Sequence, residues 1–450
     1  MRAKRASLSS SLAEVSALIA ACALASACNQ KSGPALEKTD DEGEIPVPVV
    51  AEPPASGPKL GALSDVTPVV DRPSRRGLRL GYLHAGALVV RAAEPIGTRG
   101  CEGGWFPIRP RGFVCASGSA TLELRHPTLA AMAIGPELDA PLPYTYARAS
   151  RDSSLYEADP EHEGHVRAVA PLEDGSGLAV VGSWTAIDPE GKDVRLAMTT
   201  DGRFVPTADL MPAASSRFAG KALGDRGKLP IAFVVRRGVH RFGMRDGVPE
   251  KQTPIEYHTR IELTGHMVTL DDVDLWETDD GGYVRARDVT VVRERHELPA
   301  FVTDDQRWLD VSVMTGAVVA YEGAKPVYAT LASVGRDRLG GPGADAITQR
   351  GEFPVVAKHV TLKEHDPATL AEHVSIYDAP WALVLSSGQL VLGAYWHDRF
   401  GIEHGPGNVE LSPADAAWIF RFLGPEVPEG WHGATDKLQN GKPAIVNIRK

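Results

Sequence analysis

Trp308-Leu309-Asp310-Val311-Ser312-Val313 alternates apolar and polar residues, the period-two pattern of a strand with one face buried. Gly316 turns the chain, and Ala317–Tyr321 and Val327–Leu331 supply two further strand-like runs. This succession opens a C-terminal β domain over residues 299–450.

Outward from this domain, composition narrows the choices. The chain has 450 residues, with 48 Lys+Arg against 58 Asp+Glu, a net charge of −10. Such an acidic balance does not suit a broad nucleic-acid-binding face, and no nucleic-acid partner is expected. Hydrophobic residues make up 43%, enough for sizeable cores. With 45 Gly and 34 Pro the chain is heavily punctuated, which favours short strands and turns over long helices. Past the first residues no apolar run is long enough to cross a bilayer.

The N-terminus reads as an address. Arg2, Lys4 and Arg5 precede an apolar segment from Leu12 to Ala27, the pattern of a signal peptide over 1–28. Ala25-Ser26-Ala27-Cys28 and Ile19-Ala20-Ala21-Cys22 both resemble bacterial lipoprotein processing sites. The longer apolar run before it and the polar segment after it favour Cys28, with Cys22 the alternative. The protein is therefore expected to be exported to the bacterial cell envelope, lipid-anchored to a membrane and facing the periplasm. Residues 29–70, acidic and then proline-rich, read as an extended tether.

Residues 71–122 read as a small β module. Gly104-Trp105-Phe106-Pro107-Ile108 with Gly112-Phe113-Val114-Cys115 resembles bacterial Src-homology-3-like domains. Cys101 and Cys115 are the natural disulfide pair in an oxidising compartment, because the other two cysteines lie in the signal region. Closing a loop of that size stabilises by roughly 3 kcal/mol in the chain-entropy picture. Residues 123–298 hold more strands, including 231–235 and 283–292, with Asp279-Asp280-Gly281-Gly282 as a hairpin turn. The acidic run from Asp271 to Asp280 lacks the Gly and Glu of an EF-hand loop and reads as a solvated turn. The fold class is thus mainly β, small barrel-like modules preceding the C-terminal domain.

That domain carries a second resemblance. Ala320-Tyr321-Glu322-Gly323, Ser333-Val334-Gly335-Arg336, Thr348-Gln349-Arg350-Gly351-Glu352-Phe353, Lys358-His359-Val360-Thr361 and Ala379-Pro380-Trp381 appear in order. They continue into Gly393-Ala394-Tyr395-Trp396-His397-Asp398-Arg399-Phe400-Gly401, Leu411-Ser412-Pro413-Ala414-Asp415-Ala416 and Gly430-Trp431-His432-Gly433. Together these resemble the catalytic domain of the L,D-transpeptidases of bacterial cell-wall biogenesis. The resemblance implies a β-sandwich-like domain with a short helix near 412–423, a last strand at Ala444–Arg449, and a transferase chemistry. In it a Cys thiolate, activated by His, takes an acyl group from a peptidoglycan stem peptide and passes it to an amine. No cofactor is implied.

At the decisive positions the sequence departs from that family, which writes a His-Gly on one strand and Ser-His-Gly-Cys-x-Asn on the following loop. Anchored on Phe400-Gly401 and Leu411-Ser412-Pro413, Gly405 falls on the Ser, Pro406 on the His and Asn408 on the nucleophilic Cys. Gly407 is kept, and Glu410 replaces the Asn. Leu392 stands where the His before Gly393 is expected. An amide offers no ionisable nucleophile near neutral pH, and proline offers neither a side-chain base nor an N–H. His397 and His404 are nearby, but two imidazoles make no metal site. Ser333 lacks a nucleophile-elbow setting. Arg336, Arg350 and Lys358 are either solvated or meet stem-peptide carboxylates. Two readings stay open at this level. One is a pseudoenzyme that binds peptidoglycan stem peptides or cell-wall enzymes; the other is an active transpeptidase or peptidase with a relocated nucleophile.

Overall fold

The structure is a computed structural model describing residues 50–224, 227–335, 347–363, 375–402 and 407–450. The signal segment with Cys22 and Cys28, the first part of the tether, and Arg336, His404, Gly405 and Pro406 lie outside the described residues. Among the described residues only Pro127–Ala131 and Pro413–Phe422 are α-helical, and no helix is long and apolar enough to cross a membrane. The chain is mainly β, as its turn-rich composition dictates.

In the C-terminal domain eight strands hydrogen-bond in a ring. Ala379–Leu385, Leu390–Gly393, Val409–Leu411, Lys325–Val334, Ala317–Glu322, Arg307–Ser312, Ile445–Arg449 and Gly351–Leu362 follow one another, and the last pairs back onto the first. The expected sandwich is thus a sheet closed on itself, with its core between the two sides. The strand read as half-buried is not so: Trp308, Leu309, Asp310, Val311 and Ser312 are all buried. Asp310 tolerates this because Arg295, Asn447 and Arg449 bond its two oxygens at 2.8–2.9 Å.

Helix Pro413–Phe422 packs Ala416, Ala417, Ile419 and Phe420 into that core. Ser412 caps it, its Oγ accepting the Asp415 N–H at 3.2 Å, and Pro413 sits at the first helical position. At the other end the buried Lys358 ammonium donates to the carbonyls of Phe420 and Leu423. Lys358 is therefore neither a solvated cation nor a stem-peptide ligand; it satisfies orphan carbonyls at the helix C-terminus.

The middle region, expected as one β-rich stretch, is two copies of one sheet. Seven strands lie between Thr145 and Pro212, and seven between Ile231 and Val292. Counted in chain order within each copy, both sheets run 3-2-6-5-4-1-7. The copies share a turn. Thr199 N–H donates to Arg203 O and Thr278 N–H to Gly282 O, and each Thr hydroxyl bonds the Asp two residues on, Asp201 or Asp280. Gly202 and Gly281 occupy the left-handed region, at φ 77° and 81°. A 3-10 turn follows in each, Thr207–Asp209 and Ala286–Asp288. That turn interrupts the continuous strand expected over 283–292.

The N-terminal module begins earlier than its sequence pattern indicates. Lys59–Ala62 and Thr67–Val70, read as tether, are strands whose Leu60, Ala62 and Val69 belong to its core. Cys101 and Cys115 are disulfide-bonded beside the paired strands Trp105–Pro107 and Phe113–Cys115. The module is also joined to the C-terminal domain edge to edge. Strand Gly433–Thr435 pairs with Ala357–His359 on one side and with Gly81 and Tyr82 on the other. Just before it, Trp431, 2% exposed, fills the module core, and its indole N–H donates to Arg109 O at 3.1 Å.

Trp431→Ala is expected to cost about 3–5 kcal/mol, the usual cost of emptying a large aromatic site. Urea denaturation checks this. A loss under about 1 kcal/mol would show that the module does not depend on the tail for its core.

Candidate functional site

The position matching the family's nucleophile lies where two parallel strands start. Leu390–Gly393 pairs with Val409–Leu411 in the register Val391 to Val409 and Leu392 to Glu410. Asn408 immediately precedes the second strand and is 8% exposed. Its Oδ1 accepts the Leu390 N–H at 3.1 Å, and its carbonyl accepts the Thr348 hydroxyl at 3.3 Å. The Gly407 carbonyl accepts from Gln389 Nε2 at 2.7 Å. The amide thus ties the loop to the neighbouring strand. Leu392 is fully buried in the core and offers no polar group.

His397, in the segment after the strand Leu390–Gly393, and Glu410, in the strand Val409–Leu411, form a buried pair at 2.8 Å. The Arg399 N–H donates to His397 Nδ1, so in the neutral ring the proton is on Nε2 and is donated to the carboxylate. Burial lowers the His397 pKa to about 3, Arg399 acts in the same sense, and Asp398 opposes them. Glu410 is 0% exposed, and the His397 side chain is nearly so.

Nearby hydroxyls are engaged. Ser333 Oγ donates to Arg399 O at 2.6 Å, Ser412 Oγ to Asp415 at 2.8 Å, and Ser216 Oγ to Asp398. Cys101 and Cys115, the two cysteines among the described residues, are consumed by their disulfide. Arg350 is exposed. Among the described residues the region holds an amide, a His–Glu pair and hydroxyls engaged in hydrogen bonds.

An open cleft of about 820 Å³ lies alongside, between the second repeated sheet and the segment after His397. Arg217, Arg237, Tyr257, His258 and Arg260 line it, and Asp398 closes one end. His258 has φ 66°, a left-handed conformation costly for a non-glycine residue. It is held there by stacking on Tyr257 and by Asp398 Oδ1, 3.4 Å from Nδ1. Sequence reading missed this cleft, because its residues come from separate modules and carry no spacing motif.

A second polar cluster joins three parts of the chain. Tyr82 OH lies 3.1 Å from His359 Nδ1 and 3.3 Å from His432 Nδ1, and Tyr144 OH is 3.0 Å from His432 Nε2. His84 stacks at 4.5 Å on His432. Burial lowers His84 to about 4 and His359 to about 4, and holds His432 well below its ordinary value.

No family model matches the chain, and the search of curated proteins gave no match. Among solved structures, an L,D-transpeptidase from Stackebrandtia nassauensis is 16% identical over 33% of this chain and 58% of its own, at a TM-score of 0.23. One from Mycobacterium smegmatis is 14% identical over 51% of this chain and 88% of its own, at 0.25. L,D-transpeptidase 1 of Mycobacterium tuberculosis is 17% identical over 53% and 97%, at 0.22. The chain spans 58% and 65% of the first two structures found, the second being from Xylanimonas cellulosilytica.

The three neutral imidazoles set a pH dependence. An unfolded His binds a proton near pH 6.5, whereas buried His84 and His359 refuse it until about pH 4 and His432 is held well below its ordinary value. The unfolded chain therefore holds more protons between those values, and stability falls as pH drops through the window, by up to ~1.4 kcal/mol per pH unit for each ring. Asp65, Asp378 and Asp415, raised by burial, act in the opposite sense. The urea midpoint is expected to fall from pH 7 to pH 5, and to fall less in His84→Gln. An equal fall in both proteins would remove His84 from this account.

Proposed function

We propose that this chain is an exported cell-envelope protein of the L,D-transpeptidase type that has lost acyl transfer and acts as a peptidoglycan- or partner-binding scaffold. The observation that carries the reading is Asn408. It stands at the motif's nucleophile position, is buried, and spends its amide oxygen on the Leu390 N–H. A thiol mechanism needs an accessible thiolate, a base within hydrogen-bond reach and donors aimed at the oxyanion. Asn408 supplies none of these, and removal of one member of such a set abolishes nearly all of its effect.

Support for the envelope setting comes from the signal pattern of residues 1–28, the disulfide and the ordered run of cell-wall-enzyme motifs. A closed catalytic position favours engagement through other surfaces. The arginine-lined cleft beside it offers charge for the carboxylates of stem peptides.

Incubation with stem tetrapeptides and with a carbapenem, followed by mass spectrometry, should give neither cross-linked product nor protein adduct. Asn408→Cys should also remain unacylated, because the new thiol is enclosed, and should be destabilised by about 1–3 kcal/mol through the unsatisfied Leu390 N–H. Purified sacculi should retain the protein above a tether-only control. An adduct on the parent chain would overturn the inactive reading, and absence of retention would overturn the peptidoglycan partner.

A further inference from the structure

A cavity of about 300 Å³ opens between the N-terminal module and the C-terminal domain. One wall is aromatic, formed by Tyr82, His84, His359 and His432. Charged groups stand at its side: Asp65, Arg79 and Lys363. Neither the degenerate transpeptidase position nor the arginine cleft shares these residues.

Two polar atoms in this cavity have no hydrogen-bond partner among the described residues, His84 Nε2 and Lys363 Nζ. His84 is 7% exposed, and its Nδ1 lies 3.3 Å from the Ala85 carbonyl. A carbonyl only accepts, so the neutral ring carries its proton on Nδ1 and presents a bare lone pair at Nε2. Asp65, 3.9 Å from that nitrogen, is too far to bond it and has no proton to give when ionised. Lys363 Nζ lies 3.5 Å from Asp65 and 3.9 Å from Asp201. Its charge is balanced by these carboxylates while its N–H groups are left over. Buried polar atoms normally find partners, so an unfilled acceptor and an unfilled donor in one cavity specify what is missing.

The missing partner donates to one atom, accepts from the other, and brings no net charge. Lys363 is already balanced by Asp65 and Asp201, and Arg79 is exposed to solvent, so a charged ligand would find no buried counter-ion here. A hydroxyl both donates and accepts, and a flat aromatic wall suits the apolar face of a hydroxylated ring. We infer that this junction cavity binds a neutral sugar ring, with one hydroxyl donating to His84 Nε2, another accepting from Lys363 Nζ, and the ring lying against Tyr82 and the histidines. The site needs residues from both the N-terminal module and the C-terminal domain, so a sugar bound there ties the two together. The inference is independent of whether the neighbouring domain has lost its chemistry.

The test uses the full chain, with N-acetylglucosamine and glucose as probes. Saturable binding is expected in ligand-observed NMR, with the His84 Nε2 nitrogen resonance shifting as its lone pair gains a donor. This second readout needs no variant. Lys363→Met, near-isosteric and at the cavity rim, should weaken binding about tenfold, and so should His84→Leu. Glycine and acetate should neither bind nor compete. A short N-acetylglucosamine oligomer distinguishes a glycan end from a free sugar: tighter binding of the oligomer assigns the former, and equal or weaker binding the latter. Absence of saturable sugar binding, an unmoved His84 resonance, undiminished binding in Lys363→Met, or competition by acetate would each overturn the inference.

Discussion

The backbone of Gly433 lies between two sheets with no room for a side chain. A Cβ there would come within 2.3 Å of the Tyr82 ring, and one on Gly81 within 2.2 Å of the Gly433 carbonyl. This close approach lets the strand Gly433–Thr435 hydrogen-bond to the C-terminal ring on one edge and to the N-terminal module on the other. It also fixes what precedes it. Trp431 enters the module core, and His432 enters the junction between Tyr82 and Tyr144. Three consecutive residues thus supply a hydrophobic plug, a polar bridge and a backbone seam. The modules are parts of one packed body, and one core cluster takes Tyr146 and Phe233 from the two repeated sheets together with Trp308 and Phe400.

The same packing accounts for the fate of the transpeptidase-like position. The parallel pairing of Leu390–Gly393 with Val409–Leu411 places Asn408 against the Leu390 N–H and buries Glu410. A buried carboxylate is tolerable only with partners, and the His397 imidazole N–H provides one. Around this position the fold brings together groups that satisfy one another, Asn408 with Leu390 and His397 with Glu410. Similar logic governs Asp415, which accepts from Gly220, Tyr328 and Ser412 at 2.7–2.8 Å and so pins the helix to the segment after the first repeat.

The duplicated sheet shows where local signals end. Asp279-Asp280-Gly281-Gly282 is a legible hairpin turn, and Asp201-Gly202 is its counterpart, because Gly supplies the left-handed residue wherever the chain doubles back. The seven-strand order around those turns was not legible. It depends on pairings between distant strands, and strands of similar composition do not announce their neighbours.

Sequence alone determined the β class, the disulfide partners and the absence of a thiol from the matching position. Each follows from local chemistry: frequent Gly and Pro punctuation, two cysteines left to pair, one residue type at one place. Tertiary structure alone decided that Lys358 caps a helix, that residues 59–70 belong to a folded module, and that His84 and Lys363 share a cavity. Those outcomes depend on which segments pack together, and burial and electrostatics act through space, where residues far apart in the chain become neighbours.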